Sequence, residues 1–229
     1  MYRATDIGGR ERLTQTCLKI LKEGQEKQLY EVLPHISIVR SPLFFEPLLK
    51  LLQAGNREQR EFSAVALGSL SDPRAIEPLY QVFMRPATFK GKGTGSLQAS
   101  LIHALGEMGD GQAVELLLNI YKLASRGSPL ISHRKSWVLS AIGNLAQQGA
   151  VIAVKELTRL MREKDTELRA QAVMELAVAY WHRPSELPET VLHEMISLTE
   201  DDSEEVRQAA LSSLSDLAQL GCQAAERYM

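Results

Sequence analysis

A chain of 229 residues, 45% hydrophobic and 24% charged, is long enough to bury a large apolar core. Its formal net charge of -2 argues against a dedicated nucleic-acid binder, whose phosphate contacts require a strongly basic chain. Cys17 and Cys222 are too few for a disulfide framework or a four-ligand zinc site, and no apolar run reaches the about 18 residues of a membrane span, so a cytoplasmic protein with two core thiols is expected.

Residues 1–42 read as a capping pair of helices. In RERLTQTCLKILKEGQEKQLYEVLPHI the apolar residues recur at helical spacing, with Leu13, Cys17, Ile20 and Leu21 on one face. From residue 43 onward the sequence repeats itself. REFSAVALGSLSDPRAIEPLYQVF (60–83) lies over QASLIHALGEMGDGQAVELLLNIY (98–121), matching Ala66 to Ala104, Leu67 to Leu105, Gly68 to Gly106 and Asp72 to Asp110. KSWVLSAIGNLAQQG (135–149), RAQAVMELAVAY (169–180) and RQAALSSLSDLA (207–218) supply three more copies. Their first-column residues, Arg60, Gln98, Lys135, Arg169 and Arg207, are 38, 37, 34 and 38 residues apart.

Each copy reads as two amphipathic helices around a polar turn, and none alternates as a strand would. Pro47 and Pro78 suit the first turn of a leading helix, and Gly55 and Gly109 follow helix ends. One such pair cannot bury its own apolar stripe, so consecutive pairs must stack. The expected fold is all-α, an α-α superhelix in a single domain over 1–229, with five repeats in 43–218 and a tail in 219–229.

The basic residue followed by Ala-rich spacing to Leu-Gly, as from Arg60 to Leu67 and Gly68, resembles a HEAT repeat, as does EDDSEEVRQAALSSL (200–214). The copies are most similar to the short repeats of phycobilin lyase subunits, over roughly residues 43 to 218. The resemblance implies a HEAT-like solenoid, a fold that hosts many activities. It also implies an acidic residue, six positions before the column arginine, that bonds across to the next repeat. Asp201 before Arg207 and Glu163 before Arg169 fit; Ala54, Lys92 and Pro129 break the pattern in the first three repeats.

Two turns are lengthened. Phe83 to Gln98 takes fifteen residues and Tyr121 to Lys135 fourteen, against eight from Leu52 to Arg60. The first insertion, FKGKGTGS, lacks the G-x-x-x-x-G-K-[ST] order and the preceding strand of a phosphate loop, so no nucleotide site is expected there. Ser96 is expected to cap the helix that follows. Lys90, Lys92, Arg126, Arg134 and Lys135 would form a basic loop edge suited to an acidic partner surface, while EDDSEE makes the matching turn of the last repeat acidic. The second helices would line a concave groove carrying Phe62, Val65, His103, Glu107, Trp137, Ser140, Asn144, Met174 and Glu175, an aromatic and apolar strip with polar neighbours of the kind that binds peptides.

No catalytic, cofactor or metal constellation is legible. His103 and Glu107, four apart, read as a solvated hydrogen-bonded pair, and no serine stands in a nucleophile turn. HEAT-like alkylpurine glycosylases bind duplex DNA on a basic face with aromatic and acidic residues. Trp137 and Trp181 invite that reading, but no aspartate stands beside Trp137 in the groove columns and the chain is not basic. The expected function is a non-enzymatic scaffold, adaptor or chaperone for another protein, with no cofactor, nucleic acid or membrane. The alternative is a phycobilin lyase-like or phycobilisome-processing component acting on a bilin-bearing protein, with a HEAT-like DNA glycosylase behind both.

Overall fold

The computed structural model describes residues 7–23, 26–85, 88, 94–125 and 134–228. Thirteen α-helices and no strand lie among them, and the fold class is the all-α, HEAT-like solenoid that the repeats imply. The helices group into two compact units, Met1–Met108 and Gly109–Met229.

Unit 1 holds three pairs: α1 (Ile7–Glu23) with α2 (Glu26–Val39), α3 (Phe45–Ala54) with α4 (Arg57–Leu70), and α5 (Ile76–Met84) with α6 (Thr94–Gly106). Leading helices pack on leading helices and second helices on second helices, in chain order. Leu48, Leu52, Phe62, Leu67, Leu79, Phe83, Leu101 and Leu105 fill the core. In α1, Cys17 and Leu21 are buried, but Thr14 turns inward and Leu13 and Ile20 are half-buried. The Thr14 hydroxyl can be buried because it donates to the Arg10 carbonyl of its own helix at 2.8 Å.

Local chemistry sets the boundaries. Asn56 and Gln59 exchange side-chain and backbone hydrogen bonds, both 2.9 Å, in a capping box that starts α4. Ser41 and Asp72 open short 3-10 turns at Pro42–Phe44 and Pro73–Ala75, and these lead into α3 and α5 with Pro47 and Pro78 in the first turn. The Leu-Gly column has a steric reason. A Cβ on Gly68 would lie 3.0 Å from Ala104 Cα, so glycine there lets the α4 and α6 backbones approach.

Unit 2 repeats the plan with α7 (Gly111–Ser125) and α8 (Lys135–Gln147), α9 (Val151–Leu160) and α10 (Thr166–Ala179), α11 (Glu189–Ser197) and α12 (Glu204–Gln219); α13 (Gln223–Glu226) packs on α12. The second helices α8, α10 and α12 again pack in order. Because α10 touches α8, α9 and α12, it is buried round most of its circumference, with Ala170, Ala172, Ala177 and Ala179 among its buried residues. Arg183 donates through Nη2 to the carbonyls of Ala146 (2.9 Å) and Gln147 (3.1 Å), satisfying the open C-terminus of α8 and complementing its dipole. Both cysteines are free and buried. Among the described residues no helix is long and apolar enough to cross a membrane.

Candidate functional site

The first column of unit 2 is an electrostatic ladder that fixes the second helices against each other. Lys135 Nζ bonds Asp165 Oδ2 at 3.3 Å, and Asp165 also caps α10 through the Leu168 amide. Arg169 grips Asp201 with both prongs, Nε to Oδ2 at 3.0 Å and Nη2 to Oδ1 at 2.7 Å. Its Nη1 closes its own turn on the carbonyls of Glu163 (2.8 Å) and Lys164 (3.1 Å). The resemblance singled out Asp201 but had it bonding to the next repeat, whereas it bonds back to Arg169 of the preceding one, and it missed Asp165, which stands four rather than six residues before its column arginine. The Glu163 carboxylate, expected in the ladder, instead pairs with Arg159 at 2.6 Å, because only its carbonyl faces Arg169. Unit 1 has no such pairing among its described residues: Gln98 replaces the cation and donates to the Thr88 carbonyl at 3.1 Å, and Arg60 Nε has no hydrogen-bond partner.

On this frame the second-helix face of unit 2 gathers most of the expected groove residues. Trp137, Ser140 and Asn144 follow one face of α8, and Gln171, Met174, Glu175 and Val178 follow the neighbouring face of α10, with Trp181 just beyond its end. Two side-chain bonds cross the seam, Gln171 Nε2 to the Ser136 carbonyl at 3.0 Å and Ser140 Oγ to Glu175 Oε1 at 2.6 Å. Glu175 is the anomaly of its column, where the other repeats carry Ala66, Ala104, Ala141 and Ser213. In unit 1 the corresponding Ala104 meets Gly68; here the longer Glu175 side chain lies over Gly143, whose added Cβ would clash with Oε2.

Burial pushes the Glu175 carboxyl above the usual carboxylate range, against the opposing effect of the bonds from Ser140 and Gln171. A raised carboxyl pKa in the folded state costs stability once pH exceeds the unfolded value of about 4.3, the full cost being reached above the folded value. Glu175→Gln keeps an acceptor for Ser140 and removes the charge. Thermal unfolding should show a higher midpoint for this variant at pH 7, with the gain gone at pH 4. An equal or lower midpoint at pH 7 would mean that the charge is well solvated.

Unit 1 contradicts part of the expected groove. Phe62 is fully buried, its ring edge-on to Tyr30 at 5.8 Å between centroids, so it is core between α2 and α4 and not a groove residue. Val65 beside it is half-buried. His103 and Glu107 are a water-facing pair, 3.9 Å apart, and no group of three or more metal-ligating side chains occurs among the described residues.

The basic edge changes character too. Lys90, Lys92 and Arg126 lie outside the described residues. Arg134 stacks over Trp137, 5.4 Å from the ring centre, and Lys135 is committed to Asp165 and the Tyr121 ring, so neither is a free steering charge. Ser96 does not cap α6, which begins at Thr94; its hydroxyl donates to Glu61 Oε2 at 2.6 Å. A cleft of about 430 Å³ between α9 and α11, floored by Val154 and Val191, was not legible in the sequence; Arg159 and Arg162 on its rim are paired with Glu156, Glu163 and Glu194.

Residues 191–221 match the HEAT repeat and residues 59–83 the PBS lyase HEAT-like repeat. Comparison with curated proteins gives no match. Among solved structures, that of human deoxyhypusine hydroxylase in complex with glycerol is similar over 93% of this chain and 86% of its own, at 15% identity and a TM-score of 0.40.

Proposed function

We propose that the chain is a protein-binding scaffold that seats an apolar segment of another protein on the second-helix face of unit 2. The observation that carries this reading is the exposure of Trp137 (40%) on α8, of Met174 (46%) and Val178 (48%) on the α10 packed against it, and of Trp181 (43%) just past the end of α10. Large side chains of this kind supply contact area at small entropic cost, and the two bonds across the α8–α10 seam pre-organise them. HEAT repeats commonly serve protein–protein interaction, which agrees with it.

The test is capture of partners from an extract of the source organism, followed by dissociation constants for the partner recovered. Trp137→Ala and Met174→Ala each weaken that partner about tenfold, or about 1–2 kcal/mol, while His103→Ala in unit 1 leaves it unchanged. Undiminished affinity in both variants places the binding surface elsewhere. The repeat type at residues 59–83 favours one second reading, handling of a bilin-bearing protein, and bilin transfer to an apoprotein followed by absorbance checks it.

A further inference from the structure

Each second helix of unit 2 offers its successor the same two groups: the column cation and an aliphatic side chain four residues later. Lys135 and Leu139 of α8 meet α10, where Lys135 takes Asp165 and Leu139 is 1% exposed. Arg169 of α10 grips Asp201, at the entry of α12, in two parallel bonds, and Val173, one turn further along α10, is 0% exposed. The same two groups recur on α12 as Arg207 and Leu211. Arg207 Nη1 closes its own turn on the carbonyls of Asp201 (2.6 Å) and Asp202 (3.0 Å), just as Arg169 does one repeat earlier. Its Nε and Nη2, the prongs that Arg169 uses for the carboxylate, have no hydrogen-bond partner among the described residues. Leu211 is 48% exposed, although α13 packs on the same helix.

We propose that this face of α12, the open Arg207 fork with Leu211, docks a helix of a partner protein that carries a single aspartate or glutamate in the turn leading into it, seated as α12 is seated on α10. A guanidinium already oriented by two carbonyls presents its remaining edge in the planar geometry that a carboxylate fills with two bonds. The apolar contact then falls one helical turn further on, where Leu211 waits. Asp202, Glu204 and Glu205 are exposed around the fork and repel an acidic run, which selects for one carboxylate on an otherwise neutral or basic helix. A second copy of this chain is the poorer fit: Asp165 and Asp201, which lead into α10 and α12, are already held, and α4 is entered through Asn56.

The probe is a fluorescent peptide of residues 198–219 of this chain, stapled on its solvent-facing side and carrying E200Q, D202N, E204Q and E205Q, so that Asp201 is the single carboxylate of its leading turn. Titrated with the full chain it binds saturably, and the Asp201→Asn peptide binds at least about tenfold more weakly. Leu211→Asp in the full chain removes the binding and leaves the unfolding midpoint unchanged, since Leu211 is exposed. Absence of saturable binding overturns the proposal, as does equal binding of the two peptides. Undiminished binding to the Leu211→Asp chain also overturns it, because the peptide would then be displacing α12 from α10. Sedimentation of the chain alone covers the remaining occupant: a concentration-dependent dimer broken by Leu211→Asp assigns the face to a second copy instead. None of these variants touches Trp137 or Met174, so failure here and failure of the α8–α10 row are read separately.

Discussion

Phe62→Ala should be among the most destabilising single substitutions in this protein, at about 3–5 kcal/mol. The ring is fully buried between α2 and α4, and its truncation leaves a cavity bounded by helices that are tied to other pairs and cannot easily collapse. The edge-on contact with Tyr30 is lost as well. For a chain of this size such a loss corresponds to roughly 10 °C in the unfolding midpoint. Differential scanning calorimetry measures it directly. A shift of only a degree or two would mean that the ring faces solvent and that a groove role for Phe62 should be restored.

Asp201→Asn should cost about 2 kcal/mol at neutral pH, between the 0.2–1 kcal/mol typical of exposed ion pairs and the 3–5 kcal/mol of fully buried ones. The carboxylate and the Arg169 guanidinium are 11% and 14% exposed, so removing the charge leaves a largely desolvated cation without its partner. Asparagine can still accept from the Ser203 amide, which confines the loss to the ladder bond. The effect carries a pH signature. The hydrogen bonds from Arg169 hold the Asp201 carboxyl below its usual range, against a smaller opposing effect of burial. Its contribution is therefore complete above the unfolded pKa of about 3.9 and is lost as pH falls through the lower folded value. Wild type and variant should differ by the full amount at pH 7 and converge in acid. A difference that persists undiminished at pH 2 would trace the loss to the turn and not to the ion pair.

The difference between these two residues shows what could be read from the chain. Asp201 stood out in the sequence because it stands six residues before Arg207, as the resemblance implies, although the partner it takes is Arg169 of the preceding repeat. Phe62 carried no such mark. An aromatic at that column fits an exposed row or a buried one, and the choice depends on where α2, an irregular capping helix, presents Tyr30. Glu175 was read from the sequence only as a groove residue, and its lodging over Gly143 follows from the spacing of α8 and α10.

Periodicity and self-similarity alone determined the helix pairs, their number, the Leu-Gly contact column and the basic first column, because each is a local rule applied once per repeat. Tertiary structure alone decided which cations are spent. Lys135 and Arg134 look alike in sequence to any exposed basic residue, yet one lies against Asp165, thirty residues away, and the other on Trp137. Arg207 looks like Arg169, yet among the described residues its Nε and Nη2 have no hydrogen-bond partner. Whether a charge is available for a partner depends on what the next helix brings to it, and that is a property of the stack rather than of the residue.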